Sequence, residues 1–121
     1  MHEKSDHEAL TREIERGHFG RAAHMAEQTG LPREEIKKLL SKALGQMAAI
    51  YRNAPGTKHL ALKYGFSREE VGEALKKFVD EMKKEGNQKP LEPCYDHGTG
   101  KYLSFEDWMD HYLKVWDKIA A

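Results

Sequence analysis

The chain has 121 residues, of which 33% are charged, 20 basic against 20 acidic. A length of this order suits one domain burying about two-thirds of its unfolded surface, and zero net charge excludes a polycation that coats nucleic acid along its whole surface. Cys94 is the only cysteine, which excludes an intramolecular disulfide. With no long apolar run and no apolar signal-peptide core in "MHEKSDHEAL", it points to a reducing, cytoplasmic setting without a membrane span.

Charge is unevenly placed. Residues 31–60 hold six basic side chains against two acidic, whereas residues 91–121 hold three against six. Any contact with phosphate is therefore expected from the second quarter of the chain.

In chain order, "SDHEALTREIERG" opens with Ser5 and Glu8 at capping-box spacing and closes on Gly17, predicting a first helix over 6–16. "HFGRAAHMAEQTG" predicts a short second helix ended by Gly30, and Pro32 suits the start of a third. The third helix carries Ile36, Leu39, Leu40, Ala43, Leu44, Met47 and Tyr51 at three- and four-residue spacing, one apolar stripe. "NAPG", residues 53–56, breaks it. "TKHLALKY" predicts a fourth helix stopped by Gly65. Ser67 with Glu70 then caps a fifth, whose stripe of Val71, Ala74, Leu75, Phe78, Val79 and Met82 ends near Gly86. "NQKPLEP" reads as a linker, because two prolines deny it helical hydrogen bonds. "CYDHGTGKYL" predicts a small β-hairpin near 94–103. Ser104 with Asp107 starts a last helix bearing Phe105, Trp108, Met109, Tyr112, Val115, Trp116 and Ile119 on one face.

The expected fold is thus all-α, about six helices in a single domain over 1–121. Residues 6–52 form a first helical unit, 57–86 a second corner, and 87–121 the linker, hairpin and last helix. Shifting the chain by 35 residues pairs His24 with His59, Ala26 with Ala61, Gly30 with Gly65, Arg33 with Arg68, Ile36 with Val71 and Leu40 with Leu75. Each copy spells short helix, glycine, apolar residue, long helix. A small alanine lets two helices approach and glycine permits the turn between them.

With Ala26, Gly30, Leu31 and Ile36 in one copy and Ala61, Gly65, Phe66 and Val71 in the other, this spacing resembles the helix-turn-helix superfamily of DNA-binding domains. The resemblance implies a small DNA-binding regulatory or accessory protein whose partner is duplex DNA. Charge selects the copy. After the first turn the outward positions are Arg33, Lys37, Lys38, Ser41 and Lys42, with Arg52 beyond. Arg33 and Lys37 are expected nearest the base edges, with Lys38, Lys42 and Arg52 on phosphates. After the second turn, Glu69, Glu70 and Glu73 would repel phosphate. A regulator of this kind commonly dimerises, and Trp108, Tyr112 and Trp116 are the candidate interface. Closing the monomer's core is the preferred reading of the same face, because aromatic stripes usually pack inward. The alternative function is a protein–protein adaptor or inhibitor acting through the second corner and the acidic C-terminal part.

No motif names a reaction, so the chain is read as no enzyme and as needing no cofactor. Cys94, His97, Asp107 and His111 fall within one short stretch, yet structural zinc sites usually use more thiolates, so no metal is assigned to them. His24 and His59 share a repeat position, which suits a common structural task better than ligation. "HGTGK" lacks both the leading glycine and the following Ser or Thr of a phosphate loop.

Overall fold

Four helices stop in the same way. In a computed structural model, which describes residues 2–120 and side chains from Glu8 onward, Gly17, Gly30, Gly65 and Gly86 all hold φ between 72° and 75°. At the first corner the Leu31 amide donates to the Ala26 carbonyl at 3.0 Å and Gly30 to Glu27 at 3.2 Å; at the second, Phe66 donates to Ala61 at 2.8 Å and Gly65 to Leu62 at 3.2 Å. These paired bonds are the Schellman arrangement, which satisfies helix-end carbonyls and needs a left-handed residue between them. The 35-residue repeat is therefore a repeat of backbone geometry as well as of residue types.

Six α-helices run in the order α1 (His2–Glu15), α2 (Phe19–Gln28), α3 (Arg33–Ala49), α4 (Ala54–Lys63), α5 (Arg68–Lys84) and α6 (Phe105–Lys114). Between α5 and α6 lie the strands β1 (Cys94–Asp96) and β2 (Lys101–Leu103), an antiparallel pair in which Cys94 faces Leu103, Tyr95 faces Tyr102 and Asp96 faces Lys101. Single 3-10 turns occur at Lys89–Leu91 and Trp116–Lys118. The fold is all-α with one small hairpin. Among the described residues, no helix is long and apolar enough to cross a membrane.

The chain divides into two compact units, residues 1–43 and 44–121, with the change falling inside α3. In the first, α1 lies alongside α2. Ala22, Ala23 and Ala26 are fully buried, and the start of α2 meets α3 closely, with Lys42 Nζ 5.3 Å from the centre of the Phe19 ring. Helix α1 begins at His2, ahead of the expected start at residue 6, and the expected Ser5 cap lies outside the described side chains. A capping side chain stabilises a start without compelling one, and Glu3 and Lys4 are both good helix formers.

In the second unit the core is aromatic. Phe78 meets Phe105 edge-on at 6.4 Å between ring centres, Phe105 stacks on Trp108 at 5.8 Å, and Trp108 meets Tyr112 at 4.8 Å. Helix α3 approaches α5 so closely that a Cβ on Gly45 would stand 2.6 Å from Phe78 Cγ and 2.9 Å from its Cβ. Here glycine is required by space. "NAPG" both ends one helix and begins the next: Asn53 caps α4 by accepting the Gly56 amide at 2.9 Å, and Pro55 sits in the first turn, where its missing amide proton costs nothing. Tyr51 leaves the apolar stripe because α3 ends at Ala49; the tyrosine is 72% exposed.

Candidate nucleic-acid interface

Helix α3 opens where the Pro32 carbonyl accepts the amides of Glu35 and Ile36 at 3.0 and 3.2 Å. Its buried stripe is Leu39, Leu40, Ala43 and Leu44. At about 100° per residue, Arg33, Lys37 and Ser41 form one lengthwise row bordering that stripe, and Lys38 and Lys42 form the next row outward. Exposure follows this order. Lys38 and Lys42 are exposed together with Arg33, Glu34 and Glu35, while Lys37 and Ser41 are half-buried. The exposed cations are thus Arg33, Lys38 and Lys42, while Lys37, expected beside Arg33 nearest the base edges, is half-buried.

Two carboxylates share the face. Glu34 and Glu35 occupy the first turn, where the helix dipole favours negative charge, and Glu35 reaches Lys38 at 3.6 Å. An exposed pair of this kind contributes only about 0.2–1 kcal/mol. The second corner is arranged otherwise. Ser67 and Glu70 form a reciprocal capping box at 3.0 and 3.1 Å, which commits Glu70 to the backbone and leaves Glu69 and Glu73 exposed beside Arg68.

Arg52 does not belong to the cationic face. Its guanidinium donates to the carbonyls of Ala49 at 3.0 Å, Leu103 at 2.9 Å, Pro90 at 3.3 Å and Glu92 at 2.8 Å, and lies 5.4 Å from the centre of the Phe105 ring. Burial holds it below its usual pKa. Four of its five donors are used to tie the end of α3 to the linker and to β2, so a phosphate contact is replaced by a structural one. The residue accepts φ of 48° to do this.

The proposed aromatic interface is also internal. Trp108 is 3% and Trp116 8% exposed, and Lys58 Nζ closes over the latter by donating to the Trp116 and Ile119 carbonyls, both at 2.8 Å. Tyr112, half-buried, donates its hydroxyl to Asp96 Oδ1 at 2.8 Å, while Asp96 Oδ2 accepts the Thr99 amide at 2.9 Å. Burial and this bond push the Tyr112 hydroxyl up to about 12. For Asp96, burial acts upward but is outweighed by the hydrogen bonds from Tyr112 and Thr99, which leave its carboxyl below the ordinary range. These side chains pack the last helix onto the hairpin, which is the core-closing role.

Cys94, His97, Asp107 and His111 do not converge: among the described residues no group of three or more His, Cys, Asp or Glu side chains could hold a metal ion. His97 instead lies against Tyr95 and His111 against Tyr112, with ring centres 4.9 Å apart in each pair. "HGTG" is the hairpin turn, closed by the Gly100 amide on the Asp96 carbonyl at 2.8 Å. No protein-family model, no curated protein and no solved structure matches this chain.

Proposed function

We propose that the protein is a small DNA-binding regulatory or accessory protein that engages duplex DNA through the first corner. Arg33, Lys38 and Lys42 meet phosphates, and Lys37 and Ser41 lie along the inner edge of the contact. The observation that supports this reading best is the pairing of a left-handed glycine corner at Gly30 with exposed cations in the turns that follow it. The second copy has the same corner but begins with exposed carboxylates. A reading of two equivalent DNA-binding corners is therefore disfavoured, and the second serves as scaffold. A cytoplasmic location accords with the unpaired, exposed Cys94.

The test is duplex retardation by the wild type, by Lys38→Glu with Lys42→Glu, and by Glu69→Lys with Glu73→Lys. The reading requires that the first pair abolish binding at unchanged thermal stability and that the second pair preserve it. Retention of binding by the Lys38/Lys42 variant would defeat it.

A further inference from the structure

We propose that the cleft between the α3–α4 turn and the hairpin turn is a binding site for a nucleobase. The cleft has a volume of about 400 Å³, and Tyr51, Asn53, Tyr95, His97 and Tyr112 are among its lining residues. This is within the usual range for small-molecule sites. It is independent of the duplex reading, since every one of these residues lies in the second unit.

The chemistry of the lining selects the ligand class. One carboxylate and one guanidinium border the cleft, Asp96 and Arg52, and both are committed: Asp96 to Tyr112 and Thr99, Arg52 to four carbonyls. What remains is tyrosine ring faces, the phenol hydroxyls of Tyr51 and Tyr95, an imidazole and an amide, beside the apolar Ala54, Pro55 and Ile119. Such a surface offers stacking and edge hydrogen bonds with little net charge, which fits a flat, uncharged heterocycle better than a free anion or cation.

Pairing within the hairpin does not account for the aromatic content. Tyr95 and Tyr102 are cross-strand neighbours at 5.4 Å between ring centres, and such pairs support hairpins. Tyr51, however, is on no strand, is 72% exposed, and directly precedes the left-handed Arg52. Fold stability gains little from a tyrosine held in water at the lip of a cleft, whereas stacking on a base gives it a function.

The probes are adenosine, uridine, a short thymidylate oligomer and ribose 5-phosphate, titrated against the full chain while the tyrosine ring signals are followed by nuclear magnetic resonance. Saturable upfield shifts at Tyr51 and Tyr95 with the nucleosides or the oligomer are expected. Tyr51→Ala should weaken binding roughly tenfold or more, and Tyr51→Phe should retain it. Equal affinity for nucleoside and oligomer would identify a free nucleoside as the ligand, and much tighter oligomer binding would identify a single strand. The proposal is overturned if neither shifts the rings saturably, if ribose 5-phosphate binds as well, or if Tyr51→Ala binds like the wild type. Tyr51 is exposed, so its replacement leaves the fold intact, and a melting curve checks this directly.

Discussion

Replacing Arg52 with Met removes four hydrogen bonds and keeps the stem that lies near Phe105, which makes it the sharpest probe of the second unit. Each bond contributes about 0.5–1.5 kcal/mol net, so the gross loss is about 2–6 kcal/mol. Solvent reaches the half-buried group and replaces part of it, leaving an expected loss of about 2–4 kcal/mol. Methionine keeps the left-handed strain at φ 48°. Arg52→Gly relieves that strain, worth about 1 kcal/mol, and is expected to lose correspondingly less. For a unit of this size, each kcal/mol moves the melting midpoint by about 4–8 °C. Thermal and urea denaturation of the two variants should therefore show drops of about 10 °C or more for Met and a smaller one for Gly. The same Met variant should leave the salt dependence of duplex binding unchanged, because the guanidinium touches carbonyls and no phosphate. A loss of under about 1 kcal/mol, or a binding slope shallower by about one phosphate, would refute the assignment of Arg52 to the fold.

Gly45→Ala gains about 1 kcal/mol in helix propensity but forces a methyl into Phe78. Overpacking of about 1–3 kcal/mol or more makes the net change destabilising, and chemical denaturation should show it. Gly30→Ala and Gly65→Ala meet no crowding and share φ of 75°, so both should cost about 1–2 kcal/mol; clearly unequal losses would argue against equivalent corners. Tyr112→Phe removes a hydroxyl bonded to a carboxylate, for an expected loss of about 1–2 kcal/mol at neutral pH once solvent access is allowed for. Because the Tyr112 pKa is raised to about 12 in the folded state from an ordinary 10.0, its contribution is full below pH 10 and fades as pH rises to 12. Alkaline melting of wild type and Tyr112→Phe should therefore converge over that range. For Asp96 the sign is reversed: its lowered folded pKa gives stability above the ordinary carboxylate value that disappears as pH falls through the folded one, so Asp96→Asn should flatten the acid limb of the stability curve.

The glycine stops were legible because a left-handed residue after a helix is a local need that glycine meets with least strain. Gly17, Gly30, Gly65 and Gly86 all mark helix ends. Ser67 with Glu70 was equally plain, since both halves of a capping box lie within one turn. The start of α4 was not legible, as "NAPG" contains breakers that also serve as a cap and a first turn, and only the Asn53–Gly56 bond distinguishes the two. The role of Arg52 had no local signature at all: three of its four acceptors, Pro90, Glu92 and Leu103, lie 38 to 51 residues away. The stripe of Trp108 and Trp116 announced burial, but periodicity carries no information on whether the covering surface is the chain's own. On α3 the charges were readable, while the ranking of Lys38 and Lys42 above Lys37 depended on where the buried stripe settles around the helix.

The proposed meeting of the first corner's cations with phosphate is read from the salt dependence of duplex binding. With three to four of Arg33, Lys37, Lys38 and Lys42 each displacing a counterion, the logarithm of the association constant should fall against the logarithm of salt concentration with a slope of about −3 to −4. The slope should become shallower by nearly two units in Lys38→Gln with Lys42→Gln. Absence of duplex binding at low salt, or a slope that those substitutions leave unmoved, would contradict it.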